Sequence, residues 1–91
     1  MPSYLVETYL PRGRAGERAA RDQQARAAAE ELTQERTSVR FEQSIYVPED
    51  EICFFVFDAP SGSEAALVAQ RSGLDPIRVV EAVSSGKEEE K

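Results

Sequence analysis

Apolar and polar positions divide the chain into six segments with different periods. Ser3–Leu10 (SYLVETYL) is rich in β-branched and aromatic residues and stops at Pro11, which predicts a strand. Pro11-Arg12-Gly13 breaks it. From Arg14 to Arg36 there is no proline, and no glycine after Gly16, while Ala, Gln, Glu and Arg dominate. These residues lose little on entering a helix, so a long helix is expected. Its apolar stripe is Ala25, Ala28, Ala29 and Leu32, at i, i+3, i+4, i+7 spacing. So shallow a stripe requires close approach to whatever it covers, with Gln23, Gln24 and most charges facing solvent.

Val39–Val47 (VRFEQSIYV) alternates. A regular strand puts Val39, Phe41, Ile45 and Val47 on one face with Gln43, and Arg40, Glu42, Ser44 and Tyr46 on the other. Pro48-Glu49-Asp50-Glu51 is a polar turn. Ile52–Asp58 (ICFFVFD) is apolar on both faces, and the two segments pair as an antiparallel hairpin. Ala59-Pro60-Ser61 ends it. Ser61 with Glu64 forms a capping box for a second helix running to about Ser72, with Gly73 suited to the position after it and Pro76 beyond. Ile77–Val83 is a last strand. The stretch 84–91 (SSGKEEEK) has nothing to bury and is expected to be a disordered acidic tail, leaving 1–83 as one domain.

The order β-α-β-β-α-β predicts an α+β chain of the ferredoxin-like, split βαβ plan: a four-stranded antiparallel sheet with two helices on one face. Its third strand is central there, which suits the two-sided apolar character of Ile52–Phe57. Two helices cover only one face. A second apolar face requires a second cover, and another copy of the same sheet is the simplest, so a homodimer is expected.

Composition narrows the partners. The chain has 91 residues, a formal charge of −6, a single cysteine and no histidine. Phosphate backbones and anionic membranes both attract cations, so nucleic acid and membrane surfaces are disfavoured. Met1–Leu10 has neither the basic start nor the apolar run of a secretory signal, and a lone cysteine suits a reducing compartment, so a cytoplasmic location is expected. Without histidine, Ser-His-Asp and Cys-His catalysis and imidazole-bound metals are excluded.

Among the constellations, Tyr4 with either Phe55 or Phe57 would stand where RNA-binding sheets of this element order stack bases. The acids Glu49, Asp50 and Glu51 replace the basic flanks such sheets use, which favours a core role. The same three acids lack the glycine-shaped loop of a calcium site and read as a solvated turn. Cys53 reads as a small buried hydrophobe. Glu7, between Val6 and Thr8 in a central strand, requires a partner, for which Arg40 or Arg78 is the candidate. Gln43 interrupts an apolar face in the same way. Glu7, Gln43, Ser44 and Tyr46 are therefore the candidate ligand-binding residues.

YLVETYLP, VRFEQSIYVPEDEICFFVFDAPS and RSGLDPIRVVEAV together resemble a family of small bacterial proteins of unknown function that includes a nickel-binding member. The resemblance spans nearly the whole chain before the tail. It implies a ferredoxin-like fold, a homodimer and a nickel-type divalent metal as cofactor. The family's nickel-binding pattern has a His-Ser pair where this chain has Gln43-Ser44, and a Cys where it has Phe55. The nickel version of the reading puts Glu7 and Cys53 among the ligands.

The leading expectation is a dimeric ferredoxin-like protein, not demonstrably an enzyme, that binds a metal ion or small ligand at its dimer interface. One alternative is a cofactor-free oxygenase or isomerase of the dimeric α/β-barrel kind, acting on a small apolar substrate; the other is a structural or adaptor dimer without ligand.

Overall fold

The structure, a computed structural model, describes residues 1–85. Strand β1 (Ser3–Tyr9) leads through a 3-10 segment (Arg12–Glu17) into α1 (Arg18–Gln34). Then follow β2 (Arg40–Val47), β3 (Ile52–Asp58), α2 (Gly62–Arg71) and β4 (Arg78–Ala82). All strand pairs are antiparallel and the sheet order is β2-β3-β1-β4. This is consistent with the ferredoxin-like arrangement, with β1 and β3 central.

The first helix starts later than its composition suggests. Arg14 leaves helical geometry (φ −118°, ψ 16°) between Gly13 and Gly16, so only Arg18 onward is regular α-helix. Its buried residues are the predicted Ala25, Ala28, Ala29 and Leu32. The helix ends where Arg36 takes φ +75°, letting the Thr37 amide donate to the Leu32 carbonyl at 2.8 Å. Gly73 (φ +72°) ends α2 the same way, followed by the buried Leu74. Ser61 does precede α2, but its hydroxyl bonds the Glu64 carboxylate rather than a helix amide.

Val6, Cys53, Phe55, Phe57, Leu32 and Val68 form the centre of the core between the helices and one sheet face. Phe41 packs beside Phe57 with ring centroids 5.4 Å apart.

One expectation fails, and it moves site residues. The β2–β3 register runs Phe41↔Phe57 and then Gln43↔Val56, so Glu42 is an extra residue on β2. Such a bulge reverses the parity of everything after it. Ser44 and Tyr46 therefore join Phe41 on the helix-covered face, while Gln43, Ile45 and Val47 turn to the open face.

The Pro48–Glu51 turn also works structurally. The Glu51 carbonyl accepts from the Leu10 amide and its carboxylate from the Arg12 amide, both at 2.8 Å, which fixes the exit of β1. Of the expected tail, 86–91 lie outside the described residues. No helix among the described residues is long and apolar enough to cross a membrane.

Candidate functional site

The five candidate side chains, Glu7, Gln43, Ser44, Tyr46 and Cys53, divide between the two faces of the sheet. On the open face, cross-strand rows run Val80–Leu5–Val56–Gln43 and Arg78–Glu7–Phe54–Ile45, with Tyr9–Ile52–Val47 beyond them. Leu5, Val47, Ile52, Phe54, Val56 and Val80 are half-buried, and Ile45 is 44% exposed. The face is largely apolar, and the polar groups on it include Glu7 on central β1 and Arg78 and Gln43 on the edge strands.

Glu7 is one of those groups. Arg78 Nε donates to its Oε1 at 2.9 Å, so the partner is Arg78. Arg40 instead bonds Glu42 and Asp58. Gln43 lies two strands from Glu7 and one row away. Strands sit about 4.8 Å apart and a row step adds two residues of strand rise, so the two are separated by roughly 12 Å within one chain and do not form a single pocket.

Ser44, Tyr46 and Cys53 lie together beneath the first turns of α1. Tyr46 and Thr8 are the cross-strand partners of Cys53 on either side. Arg18 holds Ser44 through two bonds, Nε to Oγ at 3.0 Å and an η-nitrogen to the backbone carbonyl at 2.9 Å. The Tyr46 hydroxyl donates to the Leu10 carbonyl at 3.1 Å, and Thr8 Oγ1 to the Cys53 carbonyl at 2.8 Å. Arg21 reaches the Tyr9 carbonyl and Glu17. Burial pushes the Cys53 thiol up; Arg18 pulls against that, Asp22 adds to it, and Arg21 opposes it. The net effect favours a neutral thiol.

Sequence reasoning missed Arg18, Arg21 and Asp22. Their signal is helical spacing: residues 18, 21 and 22 extend the stripe of Ala25, Ala28, Ala29 and Leu32 by one turn. Charges that continue an apolar stripe point at the sheet, and these three are half-buried accordingly.

The nickel donor set does not fit. Cys53 is fully buried on the helix side and Glu7 lies on the open side, so no single ion reaches both. Gln43 and Phe55, where the resemblance led to an expectation of His and Cys ligands, supply neither imidazole nor thiolate, the donors nickel favours. No group of three or more Cys, Asp or Glu side chains converges among the described residues.

No protein-family model matches the chain. No curated protein matches it either. Among solved structures, it is similar to the crystal structure of SCO4226 from Streptomyces coelicolor A3(2), with a TM-score of 0.68 and 20% identity over 91% of this chain and 98% of that one. At that identity, the likeness shows a shared small α+β fold.

Proposed function

We propose that this chain acts as a homodimer, with two open sheet faces packed together and a small organic ligand held between them. The observation behind this reading is the apolar surface formed by Leu5, Ile45, Val47, Ile52, Phe54, Val56 and Val80 on a single sheet face. An apolar patch of that extent is rare on a soluble monomer, and a second copy supplies a matching cover. Glu7 with Arg78, and Gln43 across the face, are the polar groups that would orient a ligand there. Such a site is apolar with few polar anchors, as small-molecule sites usually are. In this role the protein binds rather than catalyses.

A ligand-free structural dimer is the second reading. It is favoured by the Glu7–Arg78 pair, which already satisfies the carboxylate that would otherwise need a ligand.

Native mass spectrometry of the purified chain, beside its Val56→Asp variant, tests both. A parent dimer with an organic adduct, and a monomeric variant without it, supports the ligand-binding dimer. A dimer of bare protein mass supports the structural reading. A parent chain that stays monomeric at micromolar concentration removes both.

A further inference from the structure

A groove of about 610 Å³ lies between the C-terminal half of α1 and the start of β2, away from the open sheet face. Its size is that of a small-molecule site. Ala29, Val39 and Phe41, all nearly fully buried, give it an apolar floor, and Met1 lies along one side.

Above that floor stands Arg26, its guanidinium carbon 5.3 Å from the centroid of the Phe41 ring. The ring's negative face holds the cation there without a carboxylate. Among the described residues no acidic group lies within ion-pair distance of Arg26. The neighbouring Arg40 is already bound by Glu42 and Asp58. In a chain of net charge −6, Arg26 is thus an oriented cation left uncommitted beside an apolar surface.

We propose that this groove binds a small organic monocarboxylate, its acid group on Arg26 and its apolar body along Met1 and the exposed edges of Val39, Phe41 and Ala29. A guanidinium presents a planar fork that matches a carboxylate with two hydrogen bonds. Glu30 and Arg40 also line the groove; the Arg40 charge is already met by Glu42 and Asp58, so Glu30 remains as a negative charge that disfavours dianions such as phosphate monoesters. The ligand class is therefore singly charged with an aromatic or aliphatic body. Gln34 and Ser38 supply polar groups beside it.

The test is a titration of the ¹⁵N-labelled full chain with 2-naphthoate, read by amide chemical shifts, with naphthalene-2-carboxamide as the uncharged control. Saturable shifts are expected at Ala29 and across Ser38–Phe41. Binding should weaken by about tenfold for the carboxamide and for Arg26→Met, the loss of one charge-assisted contact. Arg26→Lys should recover part of it. Thermal melts of the variants, with Arg26 being exposed, verify that they fold. No saturation by about 10 mM, beyond the weak end of specific affinity, would overturn the proposal. So would equal affinity for the carboxamide, or shifts centred on Leu5, Phe54 and Val56 instead.

Discussion

Glu7 and Cys53 stand one register step apart on neighbouring strands and face opposite sides of the sheet. Thr8 pairs with Cys53 and Glu7 with Phe54, so Glu7 shares its face with Phe54 while Cys53 points into the core. One residue carries a solvent-side ion pair with Arg78, and the other a thiol closed off beneath α1. Any chemistry that needs both side chains at one atom is incompatible with this sheet.

Cys53 should behave as a core residue with an alkaline signature. Its folded pKa is raised above the ordinary value of 9.0, mainly by burial. A raised value means the neutral thiol is favoured in the fold. That contribution is fully present below pH 9 and is lost as pH climbs through the folded value. Denaturation of the parent and Cys53→Ala between pH 8 and 11 should show a steeper alkaline loss for the parent. A disulfide reagent should label the thiol only on unfolding; fast labelling of the native chain would contradict the burial.

Adjacent phenylalanines on β3 should respond differently. Phe55 is fully buried, and Phe55→Ala should cost about 3–5 kcal/mol by lost burial and cavity formation. Phe54 is half-buried on the open face, so Phe54→Ala should cost much less at high dilution. Its effect should grow with protein concentration if two faces pack. Urea titrations at two concentrations measure both.

Arg36 ends α1 at φ +75°, where a side chain is strained and glycine is not. Arg36→Gly should therefore raise stability by roughly 0.5–1 kcal/mol, with the gain partly offset by unfolded-state entropy. A rise in the urea midpoint at unchanged slope is the expected readout. A fall would mean that the Arg36 side chain contributes more than its strain costs.

The two helices are tied at the surface by Arg71, which bonds Glu31 at 3.1 Å and Glu35 at 3.0 Å. The hydrogen bond from Arg71, then its charge, holds the Glu35 carboxyl below its ordinary value of 4.5. A depressed carboxylate adds stability above that pH and loses it as pH falls through the lowered value. Arg71→Met should thus lower the melting temperature at pH 7, and the gap from the parent should close toward pH 3. A gap that persists at pH 3 would place the effect in packing.

Much of this architecture was legible from local pattern. Ala25, Ala28, Ala29 and Leu32 marked the buried side of α1, and the two-sided β3 marked the sheet centre, because periodicity directly records which side of an element meets the core. The candidate site was less legible. The placement of Glu7 between Val6 and Thr8 shows locally that its carboxylate requires a partner, and the fold brings Arg78 to it. Regular alternation along β2 puts Gln43 on the Phe41 face and Ser44 and Tyr46 opposite, and the bulge at Glu42 reverses all three.

The sequence by itself determined the order of the elements, the buried stripe of the long helix and the polar breaks between strands, since each depends on residues close in the chain. Tertiary structure decided which face each β2 residue joins, which arginine meets Glu7, and that Arg26 stands over Phe41. Those depend on register and on contacts between segments far apart in sequence. One extra residue in a strand leaves local composition unchanged and inverts every side chain beyond it.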